Sequence, residues 1–254
     1  MTKRILLLIA FVLQFTSQLN AQRGGAATAP PTPRAAAPID LTGYWVSLVT
    51  NEWRWRMLTP PKGDYATLPI NDEARRVADT WDPARDEASG NQCRGYGAAI
   101  IMQVPGRLNI TWEGDNTLKM ETDAGMQTRL FHFGAAAPPV GEPTWQGYSV
   151  AEWQMARGRG REAQVQPAPS RSGTLKVVTK GMRSGYLRKN GVPYSEKTVV
   201  TEYFSRVSGP GGEYLNVLVV VEDPQYLTAP YARTMQFRRE PDGSKWKLEP
   251  CSAR

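Results

Sequence analysis

Residues 40–57 read DLTGYWVSLVTNEWRWRM, with Gly43 and Trp45 early in the stretch and Trp53-Arg54-Trp55-Arg56-Met57 at its end. Trp53, Trp55 and Met57 alternate with Arg54 and Arg56. Successive side chains of a strand point to opposite faces, so this spacing predicts strand, with an aromatic face and a cationic face. The same period of two returns repeatedly towards the C-terminus. The stretch therefore marks the start of a β domain with an aromatic interior.

Working downstream, Pro60-Pro61-Lys62-Gly63-Asp64 reads as a loop. Asn71 is placed to cap a short helix running to Asp82, with acidic residues in its first turn and Ala74, Val77, Ala78 and Trp81 on one face. Asp82-Pro83 opens a second helical turn with proline at its first position. From Ile100 onward the chain reads as strand and turn. Ile100–Val104 is an apolar run closed by Pro105-Gly106. Leu108, Ile110 and Trp112 alternate with polar residues, and tight turns at Gly114-Asp115-Asn116 and Asp123-Ala124-Gly125 lead into Thr117–Thr122 and Gln127–Phe133. These three segments predict a meander. A proline-rich loop (Ala135–Pro143) precedes a strand over Thr144–Met155. Further strands are expected at Thr174–Lys180, Thr198–Val207, Tyr214–Val221 and Ala232–Glu240, with one more in Ser244–Pro250. The expectation is an all-β, antiparallel barrel of about 8–10 strands, with one or two short helices near residues 71–88. A sheet of that size closes or stacks, because open edges invite aggregation.

Working upstream, residues 1–21 read as a secretory signal peptide. Lys3 and Arg4 start it, and Ile5–Phe15 forms an apolar run too short to span a bilayer, which takes ~20 residues. Residues 22–39, rich in Ala and Pro without an aromatic residue, read as a disordered linker. Residues 40–254 form the single folded domain. Export to the periplasm or beyond gives Cys93 and Cys251, the only two cysteines, a reason to pair. By chain entropy a bridge closing so long a loop contributes about 4–5 kcal/mol. No later stretch could cross a membrane.

The formal charge is +7. It is spread out, apart from Arg157-Gly-Arg-Gly-Arg161 and Arg238-Arg239, and the chain has neither a basic patch interleaved with aromatics nor a known nucleic-acid module. No nucleic-acid partner is expected. The segment Gly158–Ser172 reads as a long basic hairpin loop.

Two resemblances follow from these residues. Gly43-x-Trp45 on the first strand is similar to the start motif of lipocalins and calycins, whose Trp packs across the bottom of the barrel. Over residues 93–235 the chain resembles a group of exported, lipocalin-like bacterial proteins of unknown function. The residues that carry this resemblance are Cys93-Arg-Gly-Tyr96-Gly97, Val104-Pro105, Asp123-Ala-Gly125 with Arg129, Trp145-Gln-Gly147-Tyr-Ser149, Thr201-Glu202-Tyr-Phe204 and Asp223-Pro224-Gln-Tyr226 with Pro230-Tyr231. It implies a lipocalin-like barrel and carries no activity with it.

His132 is the only histidine. Its pKa lies near neutral, which suits a general base. It shares a strand face with Thr128 and Leu130, opposite Arg129, Phe131 and Phe133. Glu202 sits on the face of Val200 and Phe204, where burial would make it an acid or base, or else the ion-pair partner of Arg129 or Arg233. Tyr203 completes the catalytic candidates. For ligand binding, Trp55, Trp81, Trp145, Trp153 and Tyr186 offer stacking area, and Arg54 and Arg129 offer a fork for a carboxylate or phosphate. Trp45, Trp53 and Trp112 read as packing residues. No metal site and no cofactor is expected: motifs for nucleotide, flavin, haem and zinc chemistry are absent. The leading expectation is a secreted barrel holding a small apolar or aromatic ligand in a tryptophan-lined hollow. The alternatives are a cofactor-independent acid–base enzyme (isomerase, lyase or hydratase) using the same cavity, and an envelope protein that contacts polysaccharide through its basic loops.

Overall fold

A computed structural model describes residues 30–134, 141–155 and 173–254. The segments expected from sequence as a signal peptide (1–21), as the first part of a linker (22–29) and as a basic hairpin loop (158–172) lie outside the described residues. The folded unit begins at Thr32. Its strands are β1 (Gly43–Leu48), β2 (Arg107–Trp112), β3 (Thr117–Thr122), β4 (Thr128–Phe133), β5 (Tyr148–Met155), β6 (Gly173–Lys180), β7 (Gly185–Arg188), β8 (Val192–Tyr194), β9 (Val199–Gly209), β10 (Gly212–Glu222) and β11 (Tyr231–Glu240). Nine of them close into a barrel in the order β1-β11-β10-β9-β6-β5-β4-β3-β2, and β7 pairs with β8 apart from it.

Eight of the nine barrel seams are antiparallel, and β4 with β5 is parallel. The expectation of a wholly antiparallel sheet fails here for a reason of parity. An odd number of strands cannot alternate direction all the way round a ring, so one parallel seam is forced. That seam is short, pairing Phe131 with Ser149, His132 with Val150 and Phe133 with Ala151.

Most barrel strands bury alternate residues, as a one-sided sheet does. On β10, Leu215, Val217, Val219 and Val221 point inward. Inward residues of the other strands include Ile110, Met120, Phe131, Phe204 and Phe237, each at most 1 % exposed. Phe131 and Phe204 meet across the interior with ring centres 5.5 Å apart. The hollow expected inside the barrel is therefore occupied by the protein's own side chains.

The interior also holds one ion pair. Arg129 donates to Glu202 through both terminal nitrogens, at 2.8 and 2.5 Å. The second nitrogen reaches Thr179 Oγ1 at 3.1 Å, and Thr179 bonds Ser149 at 2.7 Å. Both charged side chains are essentially inaccessible. A lone charge here would carry a large desolvation cost, and the bidentate fork offsets it.

Both ends of the barrel are corked. At the bottom, Trp112, Phe133 and Trp153 form one aromatic cluster. The described end of the expected linker is ordered against it: Trp153 Nε1 donates to Pro33 O at 2.8 Å, and Arg34 N to Asp115 O at 3.1 Å. Trp45 is fully buried, donates to Leu41 O at 2.9 Å and lies under the Arg239 guanidinium. At the top, residues 49–106 fold over the end where β1 finishes and β2 begins. This cap carries α1 (Trp53–Arg56), α2 (Asp72–Asp79) and α3 (Pro83–Ala88). The caps of α2 and α3 are as expected: Asn71 accepts from Ala74 N, and Asp82 accepts from Ala84 N with Pro83 at the first helical position.

Two strand expectations in the cap are corrected. Trp53–Arg56 is a single helical turn, because Glu52 takes a left-handed conformation (φ 49°) and Arg56 N bonds back to Glu52 O. Five alternating residues, Trp53 to Met57, are too few to separate the two periods. Ile101–Gln103 is a 3₁₀ turn, fully buried, and a short apolar run without a polar face does not declare its period. The strand expected in 244–250 reduces to one bridge between Ala124 and Glu249. That bridge sits beside the disulfide Cys93–Cys251, which ties the chain's end to the cap across 158 residues.

Replacing Glu202 by Gln leaves Arg129 buried without its counter-charge and should lower the urea-unfolding free energy by about 3–5 kcal/mol. The double replacement Arg129→Met with Glu202→Leu should recover most of that loss, since apolar side chains substitute well for a buried pair. Glu202→Gln unfolding like the parent would show that the pair contributes nothing.

Candidate functional site

The interior is occupied by side chains, and the cavities described below lie outside it. One is a cleft of about 270 Å³ on the cap, lined by Glu52, Trp55, Arg56, Gln103, Leu187, Arg188 and Lys189 among others. Its floor is built from two arginines that arrive from different elements. Arg56 comes from α1 and is 9 % exposed; Arg188 ends β7 and is 4 % exposed.

Their partners are all uncharged. Arg56 donates to Gln103 O at 2.9 Å, Asn51 Oδ1 at 3.1 Å and Ser47 Oγ at 3.1 Å. Arg188 donates to Asp64 O at 3.2 Å, Ala66 O at 2.9 Å and Thr67 Oγ1 at 3.2 Å. Neither forms an ion pair among the described residues. The two acidic side chains of the lining are engaged with other cations: Glu52 with Arg233 at 2.9 Å and Glu249 with Lys247 at 3.4 Å. Desolvation lowers the pKa of both arginines, opposed by Glu52 and Tyr231 and, for Arg188, also by Asp64 and a hydrogen bond with Tyr231.

Two further side chains of the lining, Gln103 and Trp55, also carry donors. The buried amide Nε2 of Gln103 has no partner, while its Oε1 accepts from Tyr231 OH at 3.2 Å. Trp55 lies under the Arg188 guanidinium, 4.8 Å from ring centre to Cζ, and donates its Nε1 to Asp64. Two non-glycine residues here hold left-handed backbone, Glu52 and Thr67 (φ 68°), and Thr67 Oγ1 donates to Glu52 Oε1 at 3.2 Å. Such conformations cost of order 1–3 kcal/mol each and gather at functional sites.

The residues singled out from sequence are distributed as follows. His132 lies on the outer face of β4, stacked on Tyr148 with ring centres 4.9 Å apart and its Nδ1 3.3 Å from Thr117 Oγ1. Glu202 lies inside the barrel on Arg129, and Tyr203 faces outward on the same strand. Strand parity therefore separates Glu202, inside, from His132 and Tyr203, both on the outer face. Arg233 takes Glu52 as its partner, leaving Glu202 to Arg129. Trp153 belongs to the bottom cork, whereas Trp53, expected to pack, is 66 % exposed. Trp145 lies under Arg183, ring centre to Cζ 4.8 Å. Arg54 pairs with Asp64 at 2.9 Å on the rim of the cap cleft, beside Trp55. Trp81 and Tyr186 line a second, smaller cavity.

Glu52 and Gln103 went unnoticed in sequence, and so did the β7–β8 hairpin that presents Arg188. The hairpin had a signal: Asn190-Gly191, the strongest short-range hairpin dipeptide. Gly191 takes a positive φ of 89°, and a Cβ there would fall 2.2 Å from Trp81 Cβ. The Asp223 carboxylate, part of the resemblance to exported proteins, is a joint of the cap. It accepts from Ser195 N at 2.6 Å, Ser195 Oγ at 2.9 Å and Thr198 Oγ1 at 3.0 Å.

Comparison of the chain with known proteins finds no matching family model, no similar curated protein and no similar solved structure.

Two cap tyrosines set an alkaline limit. Tyr65 donates to Asp79 at 2.6 Å and Tyr186 to Asp86 at 2.7 Å, and burial, followed by those carboxylates, pushes each phenol up to about 12 from an ordinary 10.0. The folded chain holds these protons more tightly than the unfolded one. Their contribution is whole below pH 10 and is lost as pH rises towards 12. Urea midpoints should fall over that window, and a Tyr65→Phe, Tyr186→Phe double variant should show a shallower fall.

Proposed function

We propose that this protein is exported and binds a small organic anion, an aromatic or planar molecule bearing one carboxylate or phosphate, in the cleft on its cap. The observation that carries the reading is the pair Arg56 and Arg188, buried with only neutral acceptors. Buried charge without a counter-charge is costly, so a site that keeps two such guanidiniums is suited to an anion brought from outside. Guanidinium groups fork onto carboxylate and phosphate oxygens. Trp55 adds an aromatic face for the ligand's body. The ligand's place thus moves from the barrel's interior, where it was expected, to its capped end.

Export is supported by the Cys93–Cys251 disulfide, which favours an oxidising compartment, and by the apolar leader. Among the described residues no helix is long and apolar enough to cross a membrane. When the full chain is expressed with its leader in a bacterial host, intact-mass measurement of the periplasmic fraction should give a chain starting at Gln22 with the bridge formed. Retention of Met1 would contradict the leader's role.

The binding reading is tested with sodium benzoate and phenyl phosphate against uncharged benzyl alcohol. One or both anions should quench tryptophan fluorescence and raise the melting temperature, and benzyl alcohol should do neither. Arg56→Gln and Arg188→Gln should each weaken binding about ten- to a hundredfold, the range of a charge-assisted hydrogen bond. Equal responses to benzoate and benzyl alcohol, or none to either anion, would refute the proposal.

A further inference from the structure

The helical turn α1 exposes its apolar side. Residues four apart lie on one face of such a turn, and Met57 N bonds Trp53 O at 2.9 Å, which sets Met57 beside Trp53. Trp55 and Arg56 point the other way, into the cap: Arg56 is held by Gln103 O, and Trp55 lies under Arg188. What remains for solvent is Trp53 at 66 % exposure, Met57 at 57 % and, directly after the turn, Leu58 at 71 %. Single apolar residues scattered on a surface need no explanation; three within six positions do.

The charges beside them have one sign. Residues 53–63 include no Asp or Glu. The exposed cations of this segment are Arg54 and Lys62. Arg54 reaches Asp64 at 2.9 Å, and this contact ties the turn to the loop that carries Lys62. The flanking acids are committed, Asp64 to Arg54 and Glu52 to Arg233. The surface thus presents apolar side chains with cations next to them, on a chain whose formal charge is +7.

Size and charge choose the occupant. A specific protein partner engages about 20–30 residues a side, and this patch offers a handful. A second copy packed symmetrically on it would bring like cations face to face. A bilayer surface asks for less. Tryptophan belongs at the boundary between headgroups and acyl chains, a few apolar side chains enter there, and neighbouring cations meet anionic lipid.

We propose that the cap docks on anionic phospholipid membranes through this patch. Trp53, Met57 and Leu58 enter the interface, and Arg54 and Lys62 meet the headgroup phosphates. The contact is peripheral and does not rest on the anion reading of the cleft.

The test is co-sedimentation of the mature chain with vesicles of phosphatidylcholine, with or without phosphatidylglycerol as a third of the lipid. The anionic vesicles should bind about five- to twentyfold more tightly, the effect of one or two cations near such a surface, and salt should weaken that binding. Trp53→Ser and Leu58→Ser should each weaken it about tenfold, the lower end of what burial of such a side chain supplies. Lys62→Gln should weaken it about fivefold. All three side chains are exposed, so these variants should melt with the parent. Lipid with brominated acyl chains should quench the parent's tryptophan fluorescence more than that of Trp53→Phe. The proposal is overturned if the anionic vesicles do not bind, or if both vesicles bind equally. It is also overturned if Trp53→Ser and Leu58→Ser bind like the parent, which would place the contact elsewhere on the basic surface. A dimer in sedimentation velocity that Trp53→Ser dissolves, without lipid binding, would assign the patch to a second copy and overturn it too.

Discussion

Arg129 and Glu202 are locked together in the dry centre of a nine-stranded ring. A lone charge there would carry a large desolvation cost, and together they draw Thr179 and Ser149 into a polar island among aromatic and aliphatic side chains, with only Arg129 Nε left without a partner among its own donors. Around that island the inward residues of the strands are buried against one another. The same pairing that makes the interior stable commits its only charged groups to each other.

The top end is where the chain invests most of its irregular structure. The excursion between β1 and β2, the β7–β8 hairpin and the segment ending at Cys251 converge there. The disulfide and the Asp223 carboxylate join segments that are far apart in sequence. Such joints make the cap rigid enough to hold guanidinium groups in a desolvated cleft and backbone in a left-handed conformation at Glu52 and Thr67.

The barrel was legible in sequence because alternation carries directly into a one-sided sheet. The strands from Arg107 to Phe133 and from Val199 to Glu240 fall where the pattern put them, and parity alone placed Glu202 inside with Arg129 as a named partner. Residues 53–57 misled because aromatic and basic residues alternate there without a sheet to receive them; tertiary contacts to Arg56 decided the conformation. The parallel seam could not be foreseen without the strand count. The cap cleft was only half visible. Trp55 and Arg54 could be picked out by type, but Arg56, Gln103 and Arg188 become a site only because segments some 50 to 130 positions apart fold over one another, and local pattern carries no trace of that.

The parallel seam has a mechanical meaning. β9 and β10 are zipped along eleven residue pairs, whereas β4 and β5 share three. A ring tears where its stitching is shortest. Thermal breathing and pulling forces should therefore part the cylinder between Phe131 and Ser149, unrolling it into a curved ribbon that still keeps its other eight joins. That gap would bring water to Arg129, so the weakest stitch guards the molecule's most expensive charge.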